Sequence, residues 1–171
     1  MTVAVQTGTW QLDPTASTVS LRHKTFWGLV TVQGTFTAVT GAGEVRPDGS
    51  ATGTITLEAA SLDTKNAKRD THLRSADFFD ADRHPEITLS VGGTDRLDGD
   101  SVRVTGELTV RGVSRPLSFP ARLAGASAEA LTLEAEFDVD RAEFGMGWNQ
   151  LGMMRGLTTV TAALRFARTA D

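Results

Sequence analysis

The sequence predicts an all-β fold, a closed antiparallel barrel of about eight strands. Three observations lead there. Apolar and polar residues alternate along nearly the whole chain, the signature of strands with one wet face. Helix is scarce, so no amphipathic helix is available to cover those strands. The inward positions mix large residues with Gly34, Ala59, Gly106, Ala121, Ala135 and Ala162. Small inward residues near mid-strand leave interior space, and an eight-stranded barrel is about the size that holds one small ligand. The alternatives are a two-layer sandwich and, for Gly34 and Gly106, a bulge or bend in place of a cavity.

The elements follow in chain order. Trp10 to Asp13 forms a short first strand ended by Pro14. Val19, Leu21 and His23 share one side of the next, and Val30, Val32, Gly34 and Phe36 one side of the strand after it. Ile55, Leu57 and Ala59 continue the pattern, then Ile87, Leu89 and Val91. Val102, Val104, Gly106, Leu108 and Val110 form the next series. Leu117, Phe119, Ala121 and Leu123 follow, then Leu131, Leu133, Ala135, Phe137 and Val139. Val160, Ala162, Leu164 and Phe166 close the chain. Turn chemistry stands at Pro47-Asp48-Gly49, Asp98-Gly99-Asp100 and Arg111-Gly112. A single helix is expected over residues 65–76, capped by Asp63 or Thr64, with Asp70 and Arg74 spaced to pair. Phe78 and Phe79 would anchor its end to the sheet. A second helical turn is expected near 141–144. With no repeat and no low-complexity linker, residues 1–171 read as one domain.

Composition removes several function classes. The chain has no cysteine, so disulfides, thiolate metal sites and a cysteine nucleophile are excluded. Net charge is −4 and the 17 basic residues are scattered, which argues against a nucleic-acid partner. The 19 positions from Thr25 to Gly43 carry no charge, yet five are Thr and four are Gly. That segment is too polar for stable membrane insertion. Met1 to Gly8 lacks a basic and then apolar leader, so a cytoplasmic location is expected. No Gly-x-Ser-x-Gly, P-loop or dinucleotide fingerprint occurs. Asp77, Asp80, Asp82 and His84 lack the spacing of a calcium loop, and no zinc motif is found. No cofactor is expected.

A family resemblance spans nearly the whole chain. Trp10-Gln11-Leu12-Asp13 and Ser17-Thr18-Val19-Ser20-Leu21-Arg22-His23 resemble the opening of the YceI-like family of polyisoprenoid- and lipid-binding proteins. Gly34-Thr35-Phe36 and Gly43-Glu44-Val45 continue it. The most specific stretch is Ser61-Leu62-Asp63-Thr64, then Arg69-Asp70-Thr71-His72-Leu73-Arg74-Ser75-Ala76-Asp77-Phe78-Phe79-Asp80, then Pro85. Gly106 to Val113, Asp140-Arg141 and Phe144-Gly145 complete the series. The resemblance implies an extended, eight-stranded, lipocalin-like antiparallel barrel with one helical excursion. It implies a long apolar ligand inside, an isoprenoid quinone or fatty-acid derivative, and a homodimer. Many members of the family are exported.

On that reading Val32, Gly34, Phe36, Leu57, Leu89, Gly106, Phe119 and Phe137 line a lipid tunnel; the alternative is a filled core. His23 points inward, either bonded within the core or hydrogen-bonded to a ligand headgroup. Arg69 and Asp70, with His72 and Arg74, form either a polar rim that holds a headgroup or a network that caps the excursion. Read as an enzyme on a lipid-like substrate, the protein would use His23, or Asp70 with His72, as acid and base. The apolar segment 146–156 contains Trp148, Met153 and Met154, adaptable side chains suited to a lid, a plug or a dimer contact. Phe26 and Trp27, beside Gly28, read as a hairpin turn, the alternative being a second portal element. A third reading is an interaction module with a filled barrel.

Overall fold

A computed structural model describes residues 6–25, 30–145 and 157–170. Strand segments are β1 (Gly8–Leu12), β2 (Thr18–Thr25), β3 (Val30–Phe36), β4 (Val39–Val45), β5 (Ala51–Glu58), β6 (Leu62–Asp63), β7 (Glu86–Arg96), β8 (Ser101–Val110), β9 (Val113–Ala126), β10 (Ala130–Val139) and β11 (Thr158–Ala170). The helix α1 spans Ala67–Arg74. All strand pairings among the described residues are antiparallel.

The sheet runs β1-β4-β5-β7-β8-β9-β10-β11 and returns to β1, closing a barrel of 8 strands. Closure rests on β1 against β11, with Trp10 opposite Arg168 and Leu12 opposite Phe166. The other half of the long β11 pairs β2, with Ala162 opposite Val19. Thus β1 and β2 are one path bent between them. Asp13 makes the bend: its carboxylate accepts from Thr15 N at 3.0 Å and Thr15 Oγ1 at 2.7 Å, and Pro14 follows. Such a cap fixes the corner without a separate turn. In the same way β3 continues into β4, and β5 into β6. The β2-β3-β6 segments extend the wall at one end.

Inward residues alternate with solvated ones, so the outer face carries the charge. There Arg22 reaches Glu136 at 3.3 Å, and Arg122 pairs with Glu134. These exposed pairs add little stability. The Arg111-Gly112 hairpin has both central residues at positive φ, 54° and 72°. That is the twist a two-residue hairpin needs, and Arg111 tolerates it with its guanidinium on Gly145 O at 2.5 Å.

Two expectations change in detail. The helix begins at Ala67 under Asn66, whose side chain accepts from Arg69 N at 3.1 Å, rather than under Asp63 or Thr64. Lys65 takes a left-handed φ of 64°, and Asp63 accepts its N–H at 2.9 Å. A local turn therefore claims Asp63 before the helix starts. The strand β4 was not marked by alternation, because its inward positions include Gly41 and Gly43, which have no side chain to register.

Gly106 sits where β8 meets a bulge in β7 between Val91 and Gly93. A Cβ there would stand 2.2 Å from the Ser90 carbonyl oxygen. Gly106 thus lets two backbones approach, and its missing side chain opens no cavity. Gly106→Ala should destabilise the fold by about 2 kcal/mol through forced strand displacement. Gly125→Ala, with nothing within 4 Å of the added carbon, should stay within about 0.5 kcal/mol of wild type. Urea unfolding of both variants checks this; equal effects would contradict the assignment of Gly106 to the bulge.

Candidate functional site: the barrel interior

The barrel encloses a cavity of about 330 Å³. Its origin is readable in the strand register. Val102, Ala121, Ala135, Ala162, Val19 and Phe36 stand opposite one another in turn across six paired strands. Three consecutive alanines on three neighbouring strands leave one side of the ring without side chains long enough to reach the axis. The consequence appears in the burial of the larger residues. Leu21, Leu57, Leu89, Leu108, Leu133 and Phe137 face inward yet are only half-buried. They border open volume instead of packing against an opposite wall.

Aromatic pairs shape the space. Phe119 and Phe137 stack with centroids 4.3 Å apart, and Phe36 meets Phe79 edge-on at 6.1 Å. Phe78, Phe79 and Leu73 come from the helical excursion and close the gap where the sheet has no β6–β7 pairing. The end nearest the chain termini is lined by Trp10, Val45, Leu123, Leu131 and Phe166.

Polar wall atoms fall into two groups. Thr94 stands near the β4–β5 bend, where the Glu44, Thr52 and Thr54 side chains alternate to the outer face. His23, Arg141 and Thr158 stand together at the opposite end. His23 is only 6% exposed; its Nδ1 lies 2.9 Å from Thr158 Oγ1. Its Nε2 is buried without a hydrogen-bond partner among the described residues. Arg141 follows Asp140, whose side chain caps the short 3-10 turn Arg141–Phe144. That turn aims the guanidinium over the Phe78 ring, 5.9 Å from its centroid.

Of the residues singled out in the sequence, His23, Val32, Phe36, Leu57, Leu89, Phe119 and Phe137 stand together on the cavity wall. Gly34 and Gly106 do not border the open volume. A Cβ on Gly34 would meet Leu62 Cδ1 at 2.7 Å and Thr64 Cγ2 at 2.9 Å, so this glycine admits the β6 segment. Arg69 and Asp70 lie off the wall too. Asp70, 7% exposed, accepts from Thr64 N at 2.9 Å and Thr64 Oγ1 at 2.5 Å. Arg69 donates to Thr64 Oγ1 at 2.9 Å and Thr64 O at 2.8 Å. His72 instead meets Asp77 at 2.9 Å. Asp70 and His72 therefore hold different partners, and the arrangement ties the excursion together. Trp148, Met153, Met154 and the rest of 146–156, like Phe26 and Trp27, lie outside the described residues.

Sequence reasoning missed Arg141 and Thr158. The sequence places Arg141 in a short helical turn and in the family's Asp-Arg motif without pointing it at the cavity, and nothing in local spacing brings Thr158 to a histidine 135 residues away.

Burial, and then the Arg141 charge, push the His23 pKa below its ordinary 6.5. Below that value the unfolded chain takes a proton that the folded chain refuses. Stability therefore falls with pH until the folded imidazole titrates as well. The exposed carboxylates of Asp13, Asp48 and Asp63 are held low by hydrogen bonds and titrate below 3.8, outside this window. The stability difference between wild type and His23→Gln should shrink as pH falls from about 7 to about 5. Urea unfolding at each pH measures it; a constant or growing difference would contradict a buried neutral imidazole.

Comparison with known proteins follows the same geometry. The Burkholderia cenocepacia protein BcnA has a similar crystal structure, with TM-score 0.82 and 21% identity, covering 90% of this chain and 98% of that one. A polyisoprenoid binding domain from Saccharophagus degradans, implicated in plant cell wall breakdown, aligns with TM-score 0.75 and 16% identity over 96% and 100% of the two chains. At these identities the likeness is one of fold. In sequence, protein YceI of Shigella flexneri is 41% identical over 71 residues, 42% of this chain. The chain spans 37% of that relative's length. Residues 10–166 match the YceI-like domain from end to end of the barrel, and the chain belongs to that family.

Proposed function

We propose that the protein binds one long-chain apolar lipid, an isoprenoid quinone or fatty-acid derivative, inside the barrel for carriage, storage or shielding. The observation that carries this reading is the interior volume with its nearly all-hydrocarbon wall. Water in such a space finds few polar partners, whereas a lipid tail finds dispersion contacts on all sides. Binding is solvent exclusion and calls for no reacting group.

Dimensions suit a chain rather than a compact molecule. The wall runs along β11 from Thr158 to Phe166. That is roughly 27 Å of strand, or about 20 Å along the axis at a tilt near 40°. An extended hydrocarbon advances about 1.25 Å per carbon for bonds near 1.5 Å, so about 16 carbons fit. At about 0.8 kcal/mol per buried methylene, such a chain gains about 13 kcal/mol before the association cost of roughly 4–15 kcal/mol. A chain half as long gains too little to bind well.

The reading is also supported by family membership and by the polyisoprenoid binding domain that shares the fold. Among the described residues no helix is long and apolar enough to cross a membrane.

Solvent extraction of freshly purified protein, followed by mass spectrometry, should yield about one apolar molecule per chain. Ala135→Phe places a ring at the centre of the alanine belt and should lower that occupancy several-fold while circular dichroism stays native. Empty extracts from several expression hosts, or full occupancy in the Phe variant, would overturn the proposal.

A further inference from the structure

We infer that lipid enters and leaves the barrel through a fork between β5 and β7, beside the tip of the β4–β5 hairpin, and that Thr94 latches this fork. The inference rests on the lipid-binding reading and adds the route to the site.

Strand register locates the fork. β5 and β7 pair from Glu58–Glu86 up to Gly53–Val91, and there the ladder stops although both strands continue. β5 runs on to Ala51 against β4 alone, and β7 runs on to Arg96 against β8 alone. The bulge between Val91 and Gly93 accounts for the parting, since an extra residue bends its strand and interrupts pairing. It also shifts the alternation, so that Thr94 joins the inward series opposite Val104. Ala51 and Gly53 on one side, and Gly92 and Gly93 on the other, bring a single side-chain carbon to the gap. A side chain bridges it in place of a ladder: Ala51 N donates to Thr94 Oγ1 at 3.0 Å.

The cavity reaches this gap. On β7 to β11 its wall takes inward residues only, as in Leu131, Leu133, Ala135, Phe137 and Val139 of β10. On β4 and β5 it takes unbroken runs, 42–45 and 51–55, and it touches Gly49 at the hairpin tip. Residues of both faces can border one volume only where that volume passes the edge of the wall. Burial gives the same position. At this end of the barrel Val45, Leu123, Leu131 and Phe166 are buried, whereas Ala51, Val91 and Val102, near the fork, are half-buried. At the excursion end Phe36, Phe78 and Phe144 are all buried.

The test is stopped-flow fluorescence of N-phenyl-1-naphthylamine with the delipidated full chain, with association read on mixing and dissociation on dilution. The chain has no cysteine, so the double variant Ala51→Cys, Thr94→Cys can form one disulfide across the fork, checked by thiol titration. Oxidation should lower both rates at least tenfold, and dithiothreitol should restore them. Thr94→Val, which keeps the shape and removes the acceptor, should raise both rates at least threefold, because a gate sets one barrier for both directions. Equal rates in the oxidised and reduced forms would place the entrance elsewhere and overturn the inference. So would wild-type rates in Thr94→Val, or a rise in dissociation alone, which marks a lost contact; this variant decides the matter if the disulfide does not close. Failure of the wild-type chain to bind the probe would instead sink the lipid-binding reading itself.

Discussion

Pairing of β1 with β11 turns a sheet into a ring, and a ring of eight strands has a radius that its own side chains must fill. This constraint governs everything inside. An open sheet can fold its apolar face onto a second layer and adjust the spacing until it packs. A closed one cannot, since hydrogen bonding around the circumference fixes the distance between opposite walls. Where the inward residues are Leu and Phe they bridge part of that distance. Where Ala121, Ala135 and Ala162 stand side by side they do not. The half-buried state of Leu21, Leu57 and Leu133 is the visible result.

Polar chemistry is sorted by the same closure. Ion pairs between strands, Arg22–Glu136 across β11 and Arg122–Glu134 between neighbours, stay on the wet outer face. The helical excursion, which lacks an apolar stripe, is instead organised by polar groups around Thr64: Asp70 receives its N–H and hydroxyl, and Arg69 donates to its oxygens. A buried carboxylate with charge-assisted bonds holds this short helix where sheet pairing is missing. Phe78 and Phe79 can then close the wall. The excursion's charged residues support the cavity from outside, and its aromatic residues face in.

Much of this was legible in the sequence because a strand's two faces leave a period-two record. The inward series containing His23, Phe36, Leu57, Leu89, Phe119 and Phe137 indeed lines one space. Glycine broke the record. At Gly41 and Gly43 it hid β4, and at Gly34 and Gly106 it suggested emptiness where a neighbouring segment presses close. Alanine, with its one carbon, was the better marker of room. The His23–Thr158 contact and the position of Arg141 were beyond local pattern, because both arise from which strand ends closure brings together.

The account's central claim is that hydrocarbon, rather than protein, occupies the axis of the ring. Methyl NMR tests it directly: alanine-labelled protein is titrated with tetradecanoate while the methyl groups of Ala121, Ala135 and Ala162 are followed. The account predicts saturable shifts at one equivalent and nuclear Overhauser contacts from all three methyls to the chain's methylenes. Contacts confined to alanines on the outer face, such as Ala163, or none at saturating ligand, would contradict it.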